Sequence, residues 1–598
     1  MAYHGFMVRY FAEHIMDGLI QRLEAMLAKG QDNLLLRFSL GKAYVEREEY
    51  ATAVPHLRAA LGFDPGYSVA WKWLGKALQG QGDLAGARAA WQSGIDAAQA
   101  RGDQQVIKEL QVFLKRLDRA GQSRTPYPDG QSRDHKTARD ALQGLWRALG
   151  MPDQAMDYID LSGAEPVLPS SFPVGTAAQA SMAAAALAAA ELWHLRGGAR
   201  QRVAVDMLHA AQECRSYFTL DGVAPEVRDK ITGAYRCGDG GWVRIHANFA
   251  HHRDGALALL GCPGGAATTR EQVEQALSQR RALDFEQEAA EAGLVVAAMR
   301  SFDEWDRHPQ GLALAGQPAL TVERMGEADP RPLPRYGHDA RPLKDIRVLD
   351  LTRIIAGPVC GRALAAYGAD VMLINSPHLP NIETIAETSR GKLSVHTDLQ
   401  TADGRIALAN LLRGAHIFVQ GYRPGAMQAL GFGPQEAARL RPGIVYVSLS
   451  AYGDSGPWAQ RRGFDSLVQT ATGFNHTEGQ AAGSAAPKPL PMQILDHASG
   501  YLMAYGAQVA LARQATEGGS WHVRVSLAQT ARWLRTLGRV AGGLQCPMPP
   551  IAGFLETGPS GFGELAAVRH AAQFSLTPAR WARPSVPPGT HPTVWPFS

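Results

Sequence analysis

Two apolar patterns divide the chain. Over the first 120 residues, apolar positions recur with a helical period, and the segment LGKAYVEREEYATAVPHL, which begins at Leu40, recurs 34 residues later as LGKALQGQGDLAGARAAW. At the same offset Ala53 matches Ala87, and Leu57 matches Trp91. Small residues facing large ones at a fixed spacing predict stacked helix–turn–helix units.

This repeat resembles the tetratricopeptide repeat, which has a 34-residue period. Residues 1–119 are therefore predicted to form an all-α tetratricopeptide-repeat domain, which the amphipathic segment VIKELQVFLKRLDRA closes. An unrelated helical bundle is the alternative. Such arrays present a concave surface to peptides, so we expect a peptide partner, or self-association, through this arm. The polar segment that follows predicts a flexible linker over 120–137.

Beyond the linker, β-type runs alternate with helical ones. The run IRVLDL is typical of a buried strand, GPVCGRALAAYG of a helix, and ADVMLI of a second strand, which together predict a βαβ unit. Further strands are predicted in AHIFVQGY (415–422) and GIVYVSLSAYG (443–453). This alternation indicates a parallel sheet that binds ligands at the carboxyl ends of its strands. The glycine pattern of a dinucleotide site is missing.

A nearly apolar run, PMQILDHASGYLMAYGAQVAL (491–511), carries one carboxylate, Asp496. A similar alanine-rich run followed by a Gly-Gly turn and a β-like segment occurs earlier, so the region after the linker is predicted to contain two copies of one unit. At the position of Asp496 the first copy offers only Gly175, Thr176 or Ala177. Burying an acid on such a helix costs free energy unless the carboxylate caps the helix, pairs with a cation or takes part in catalysis.

Composition excludes several functions. The 598 residues carry a net charge of +4, which is too small an excess to indicate nucleic acid or an anionic membrane as a partner. The 5 cysteines are scattered without a CxxC pair, so we predict no metal site and no disulfide framework. A reducing, cytoplasmic location is expected, and no apolar run is long enough for a transmembrane span.

Several motifs resemble the family III CoA transferases, which include formyl-CoA and carnitine-CoA transferases. They are LDLTRIIAGPVCGRALAAYGADV, RGKLSVHTDLQTADGR, QGYRPGAMQALGF, VYVSLSAYGDSGPWA and RGFDSLVQTATG. The resemblance implies a Rossmann-like parallel sheet domain with a small α+β domain. Small-domain-like sequence here precedes the sheet, so residues 138–340 are interpreted as a degenerate copy and 341–598 as the sheet domain with its Pro-rich tail. Family members are interlocked dimers, which suggests a homodimer or a fused mimic of one.

The resemblance implies that Asp496 is the nucleophile. It would attack an acyl-CoA thioester, form a mixed anhydride and then an aspartyl-CoA thioester, and pass CoA to a carboxylic acid. Backbone N–H groups at the helix start are expected to stabilise the oxyanions. The alternative is that Asp496 is only a helix N-cap. The neighbouring His497 is expected to be incidental.

The resemblance also implies the CoA-binding residues, with acyl-CoA as a substrate and no permanently bound cofactor. Lys392 and Arg423 are cations suited to the CoA phosphates, whereas Gly421 and Tyr422 would follow the pantetheine arm. The resemblance implies that the loop IIAGP contacts the nucleotide through Ile354, Ile355, Ala356, Gly357 and Pro358.

Two other functions remain open. The α-methylacyl-CoA racemases share this fold and use an Asp/His pair, but here Phe464 stands where they have histidine, which leaves Asp465 as a nearby acid. A non-catalytic CoA-ester-binding scaffold is the other alternative. Tyr501, Tyr505 and the remaining aromatics near the site, Phe474 and Trp458, are expected in the core rather than in an acyl pocket. No role is assigned to the tail from Pro547.

Overall fold

The computed structural model describes residues 18, 20–47, 49–81, 83–107, 109–111, 113–114, 135–226, 228–337 and 340–596. They fall into two units, Met1–Ser132 and Arg133–Ser598. Most of the expected linker, residues 120–134, lies outside the described residues. Its last residues belong to the second unit, because the backbone N–H of Lys136 donates to the carbonyl of Leu537 at 2.7 Å.

The first unit has the predicted helix–turn–helix repeat. Before the closing segment, its described helices are residues 20–28, Leu34–Glu46, Tyr50–Phe63, Ser68–Gly80 and Leu84–Arg101. The repeat places Gly41 against Leu57 and Gly75 against Trp91; a Cβ on Gly75 would lie 2.1 Å from the Trp91 Nε1. The small residues of the repeat therefore allow the large ones of the next helix to pack closely. The described part of the closing segment, within residues 104–114, is helical and adds Leu110 to this core.

The second unit is built on the predicted parallel sheet, which has 7 strands. From edge to edge they are Leu393–His396, Asp370–Asn375, Arg347–Leu351, Ile417–Gln420, Val445–Ser450, Ser520–Ser526 and Leu320–Gly326. Numbered along the chain, the six parallel strands have the order 3-2-1-4-5-6 of a doubly wound Rossmann-type sheet, and Leu320–Gly326 adds to the edge antiparallel. The order reverses between Arg347–Leu351 and Ile417–Gln420, where such sheets bind ligands.

The remaining strands form three small sheets. Val203–Asp206 lies between Ile159–Ser162 and Ala572–Phe574; Gly563–Val568 lies between Leu555–Ser560 and Phe218–Leu220; and Trp242–Ile245 lies between Gly233–Arg236 and Val296–Ala298. The tail from Pro547, for which no role was predicted, therefore completes two sheets of the first copy. Residues 138–340 and 341–598 also share the large sheet through Leu320–Gly326, so they fold as one unit rather than as separate domains.

Helices surround these sheets. In the first copy they are Ala138–Ala148, Val174–Leu195, Met207–Glu213, Ala250–Leu259, Arg270–Leu277, Ala282–Glu291, Phe302–Arg307 and Pro309–Leu314. In the second they are Ala356–Ala366, Ile385–Thr388, Ala402–Arg413, Ala426–Ala429, Pro434–Leu440, Asp465–Ala471, Phe474–Ala481, Ile494–Glu517 and Leu527–Thr536. Among the residues described, no helix has both the length and the apolar composition needed to cross a bilayer.

The helix Ile494–Glu517 is the centre of the second unit. It packs along both Val174–Leu195 of the first copy and Ala356–Ala366 of the sheet domain. Gly500 allows the second contact, because a Cβ there would lie 2.5 Å from the carbonyl oxygen of Ala356. The start of this helix is thus held beside the loop that follows the first strand of the sheet.

Candidate active site

Asp496 is the third residue of the helix Ile494–Glu517. The N-cap position belongs to Gln493, and no side-chain capping bond is found there. Asp496 is buried, and among the described residues no hydrogen bond to its carboxylate is found. A capping role therefore does not explain this acid, which occupies the first turn without a partner of its own.

Asp465 caps this helix from a neighbouring helix. One of its carboxylate oxygens accepts hydrogen bonds from the backbone N–H groups of Leu495, at 2.8 Å, and Asp496, at 3.1 Å. The side-chain amide of Gln469 donates to the other oxygen. These two backbone donors are therefore occupied, which corrects the expectation that the free helix start would bind an oxyanion.

Burial raises the pKa of both carboxyl groups, and the charge of Asp465 adds to the effect on Asp496. Burial raises the pKa of Asp465 to about 7, although its three hydrogen bonds act in the opposite direction. Burial also raises the pKa of Asp496 well above its ordinary value, and the charge of Asp465 raises it further. Like charges this close disfavour simultaneous ionisation, so the pair retains a proton near neutral pH.

A cavity of about 450 Å³, which we call the loop cavity, opens on one side of Asp496. It lies at the point where the strand order of the sheet reverses, and it is lined by the loops that follow strands Arg347–Leu351 and Ile417–Gln420. The structure brings together here most of the residues implied in CoA binding: Ile354, Ile355, Ala356, Gly421, Tyr422 and Arg423. Ile354 has φ +76°, a strained conformation of the kind that clusters at ligand sites.

Three residues implied in CoA binding lie elsewhere. Lys392 is buried, and its ammonium donates to the Asp350 carboxylate and to the Pro358 carbonyl, each at 2.8 Å. It is unavailable to a phosphate, which corrects that expectation. Gly357 and Pro358 are buried in the first turn of Ala356–Ala366. A Cβ on Gly357 would lie 2.3 Å from the Thr352 Cβ, so its role is close packing.

The sequence interpretation did not identify three further arginines that line the loop cavity. Arg353, Arg461 and Arg462 line it together with Arg423. Burial lowers the pKa of Arg462, and the nearby charge of Arg423 lowers it further, so these two guanidinium groups lie close together. Adjacent cations favour a phosphate between them. The Arg-Arg pair after GPWAQ was the signal that could have identified them.

A second cavity, of about 550 Å³, also borders Asp496. We call it the arginine cavity, since Arg215, Arg228 and Arg244 of the first copy line it. His246 and Phe464 also line it, and their rings stack with centroids 3.9 Å apart. Burial lowers the pKa of His246 to about 4, so this imidazole is neutral at physiological pH.

The sequence interpretation missed all of these first-copy residues. One signal was available, because alternation along the strand Trp242–Ile245 puts Arg244 and His246 on one face and Val243 and Ile245 on the other. The apolar face enters a core, which leaves the polar face for the cavity.

The corresponding helix of the first copy, Val174–Leu195, has Thr176 as its third residue. Its start is capped by Glu165, whose carboxylate accepts from the backbone N–H of Thr176 at 2.7 Å. Burial raises the pKa of Glu165 to about 7. The first copy therefore has a carboxyl group that caps the helix, Glu165, as Asp465 does in the second copy. It has no counterpart of Asp496, because the third residue of its helix is Thr176.

The other singled-out residues are structural. The His497 ring forms a 2.7 Å hydrogen bond with the Ser216 hydroxyl, and burial lowers its pKa to about 3. The four aromatic residues are all buried and line neither the loop cavity nor the arginine cavity, as the core interpretation predicted: Tyr501, Tyr505, Phe474 and Trp458.

Comparison with known proteins agrees with this architecture. The sequence profile of CoA-transferase family III matches residues 131–330 and 343–538, which is more than half of the chain. An acyl-CoA transferase of Gibberella moniliformis is 30% identical over 379 residues, covering 56% of this chain and 66% of that protein. The crystal structure of Rv3272 from M. tuberculosis is 31% identical, covers 33% of this chain and 58% of that one, and has a TM-score of 0.31.

The N-terminal region has its own relative. The TPR repeat-containing protein PA0015 of Pseudomonas aeruginosa is 54% identical over 102 residues, which are 17% of this chain and 97% of that protein. The chain therefore belongs to CoA-transferase family III and carries a tetratricopeptide-repeat region before the family's domain. It spans only 52% to 66% of the length of the first curated transferases that it matches.

Proposed function

We propose that the protein transfers CoA between an acyl-CoA and a carboxylic acid, with Asp496 as the covalent nucleophile. The observation that carries this proposal is the position of Asp496, which borders both the loop cavity and the arginine cavity. The loop cavity collects the cations and small residues suited to CoA. A nucleophile that borders two cavities can meet the thioester in one of them and the acid in the other.

In the first half-reaction, a carboxylate oxygen of Asp496 attacks the thioester carbonyl carbon. A C–O bond forms, the C–S bond breaks, and the products are an acyl-aspartyl anhydride and CoA thiolate. The thiolate then attacks the Asp496 carbonyl carbon, which releases the acyl group as a free carboxylate and leaves an aspartyl-CoA thioester. Burial supports these steps, because a desolvated carboxylate is a better nucleophile.

The second half-reaction repeats these steps in reverse order with a new acid. The incoming carboxylate attacks the aspartyl thioester, thiolate leaves, and the resulting anhydride is cleaved by thiolate at the new acyl carbon. Asp496 regains its carboxylate and the new acyl-CoA departs. Asp465 acts as a positioning residue, since its carboxylate holds the backbone N–H of Asp496.

Trapping the intermediates tests this proposal. The full chain would be incubated with a panel of acyl-CoAs, treated with hydroxylamine and digested, and the modified residue identified by mass spectrometry. We expect a hydroxamate on Asp496 that is absent in Asp496→Asn and retained in Asp303→Asn, which changes an exposed acid outside both cavities. CoA-ester binding without an adduct would instead indicate the scaffold function.

His246 favours a second candidate, an α-methylacyl-CoA racemase-like reaction. This neutral imidazole lines the arginine cavity with Asp465 and Asp496, and its buried Nδ1 has no hydrogen-bond partner among the described residues. An Asp/His pair across the α-carbon could remove and return a proton. Exchange of the α-proton in D₂O without an Asp496 adduct would select this reaction over CoA transfer.

We also propose a peptide partner or self-association for the tetratricopeptide-repeat unit, and a homodimer for the whole protein. Arrays of this kind bind peptides on their concave face. Light scattering of the full chain, compared with residues 133–598, would show whether either unit carries the association.

A further inference from the structure

A cavity of about 750 Å³, which we call the tail cavity, takes no part in the proposed CoA transfer. It is lined by the hairpin strands Leu555–Ser560 and Gly563–Val568 and by the segment 578–585. Among its described lining residues Arg390 alone lies outside the tail, so the cavity is formed almost entirely beyond residue 538, where the match to the family profile ends. It has no described lining residue in common with the loop cavity or the arginine cavity and is therefore a separate site.

The tail cavity has an excess of positive charge. Four arginines line it, and among the described lining residues the one carboxylate belongs to Glu556: Arg390, Arg569, Arg580 and Arg583. Glu556 is already used, because its carboxylate accepts from the Arg390 guanidinium at 3.0 Å. Arg583 pairs with Asp370, outside the lining, at 2.7 Å. Arg569 and Arg580 are then the cations left for a ligand.

Further positive charge lies beside these two arginines. The Arg569 Nη1 donates to the carbonyl of Gly553 at 2.8 Å, and no ion pair is found for Arg569 or Arg580 among the residues described. Arg341 donates to the backbone carbonyl of Arg580 at 2.7 Å. Burial lowers the pKa of Arg341, and the charges of Arg580 and Arg583 lower it further. Guanidinium groups collected in this way repel one another, so an anion with several charges would be bound favourably here.

Part of the cavity wall is held by buried ion pairs. Arg390 and His570 are both buried and line the cavity. The Arg390 guanidinium donates to the Glu387 carboxylate, and the His570 Nδ1 lies 3.1 Å from a Glu213 carboxylate oxygen. Ser585 is buried in the same wall, and its hydroxyl has no hydrogen-bond partner among the described residues. A wall that is fixed before the ligand arrives lowers the entropy cost of binding.

The aromatic and polar side chains of the tail cavity indicate the class of ligand. Trp581 lines it, and the Arg390 guanidinium lies 3.8 Å from the centroid of the Trp581 ring. Phe574 adds a second ring, and the exposed Thr557 and Gln573 offer hydrogen bonds. Aromatic rings stack on nucleobases, hydroxyl and amide groups bind base edges, and guanidinium groups bind phosphates.

We propose that the tail cavity binds a nucleoside polyphosphate, with the phosphates on Arg569 and Arg580 and the base against Trp581. A cavity of about 750 Å³ is of the size that small-molecule sites have. A free nucleotide and the nucleotide end of CoA both have this chemistry, and the test separates the two sources. Binding here does not require Asp496 or the proposed transfer.

Calorimetric titration of the full chain with ADP, adenosine, inorganic pyrophosphate and CoA tests this proposal. Adenosine and pyrophosphate should each bind at least about tenfold more weakly than ADP, because each keeps only part of the contacts. Arg569→Gln and Arg580→Gln should each weaken ADP binding by about tenfold, as the loss of a charge-assisted hydrogen bond would give. Arg413→Gln is the matched control, since it removes an exposed arginine that lines none of the three cavities, and its ADP affinity should equal that of the wild type.

The absence of ADP binding would overturn the proposal, and so would an equal ADP affinity in the wild type, Arg569→Gln and Arg580→Gln. Pyrophosphate that binds as tightly as ADP would overturn the assignment of a nucleoside. A second CoA-binding event that is lost in Arg580→Gln would identify the nucleotide end of CoA as the ligand. An unchanged CoA titration, with ADP binding weakened, would identify a free nucleotide. None of these results depends on the labelling of Asp496, which tests the transfer separately.

Discussion

The Asp465 carboxylate accepts a 3.1 Å hydrogen bond from the backbone N–H of Asp496, so two buried carboxyl groups share one helix start. The Asp465 side chain caps the start of the helix through hydrogen bonds that the oxygen of a neutral amide could also accept. Its negative charge has a second effect, since it raises the pKa of Asp496. Asp465 therefore both orients Asp496 and raises the pH at which Asp496 ionises.

The pH dependence of the first half-reaction should reflect this pair. Because only the ionised Asp496 attacks, the single-turnover rate of aspartyl-CoA formation should rise with pH through an acid limb well above the ordinary aspartate pKa. Asp465→Asn removes the neighbouring charge and should move the limb to lower pH. Quenched-flow mass spectrometry between pH 5 and 9 measures both; an unmoved limb in the variant would contradict the coupling.

Asp496 should cost stability, and the cost should depend on pH. A carboxyl whose pKa is raised in the folded state destabilises the fold increasingly as pH rises from its unfolded pKa to its folded one. Asp496→Asn should therefore match the wild type near pH 4 and exceed it by about 1–2 kcal/mol in the free energy of unfolding at pH 8. Thermal unfolding across this range provides the test, with Asp303→Asn as the control that should show no such divergence.

Lys392 should matter for folding and not for CoA affinity. Lys392→Met leaves the buried Asp350 carboxylate unpaired and should lower the free energy of unfolding by about 3–5 kcal/mol. Arg423→Gln should instead weaken CoA binding about tenfold with little change in stability. Calorimetric titration of CoA into each folded variant separates the two, and a weakened affinity in Lys392→Met would restore the phosphate-binding interpretation.

Glu213 joins both copies and the tail. Its carboxylate accepts from the Tyr501 hydroxyl at 2.7 Å and the Ala571 backbone N–H at 2.8 Å, and it pairs with Arg362. Burial raises its pKa, but His570 and Arg362 outweigh this and hold the pKa well below its usual value. Its stabilisation is therefore present above the unfolded pKa and is lost as pH falls.

Glu213→Gln should lower the free energy of unfolding of the second unit by about 3 kcal/mol or more at pH 7. It removes a carboxylate that pairs with the buried Arg362, so part of this buried positive charge is no longer compensated. Scanning calorimetry measures this change. Glu226→Gln, at an exposed acid, should stay within about 0.5 kcal/mol of the wild type; similar values for the two variants would refute the structural role.

The glycine of the second repeat should not tolerate a methyl group. In Gly75→Ala the new Cβ would overlap the Trp91 ring and should destabilise the first unit by about 1–3 kcal/mol. Gly62→Ala is the matched control in a neighbouring helix, since no atom lies within 4 Å of its Cβ position, and it should be neutral or stabilising. Circular dichroism of the isolated repeat region would compare the midpoints.

Local patterns in the sequence predicted the parts of this fold that depend on neighbours in the chain. The repeat predicted stacked helices in which small residues meet large ones, as Gly75 and Trp91 do, and the βαβ pattern predicted the strands on either side of Ala356–Ala366. The loops that follow the parallel strands lie together, as predicted, because the carboxyl ends of these strands lie at the same edge of the sheet. What these features share is a regular period or a short connection.

The remaining features depend on distant contacts. The burial of Lys392 depends on its pairing with Asp350, which lies on another strand. The motif RGK does not distinguish a buried lysine from an exposed one. Arg244 lines a cavity beside Asp496, more than two hundred residues away in the sequence. The antiparallel strand Leu320–Gly326 joins an edge that no local pattern specifies.

The pairing of Ala572–Phe574 with Val203–Asp206 sets an order of assembly during synthesis. The described helices of the N-terminal repeats pack mainly on the next helix in the chain, so this unit can fold as soon as it leaves the ribosome. The first copy, in contrast, keeps an open strand edge at Val203–Asp206 until nearly the whole chain has been translated. Nascent chains stalled before residue 572 should therefore expose that edge and be the species that chaperones bind and that aggregate.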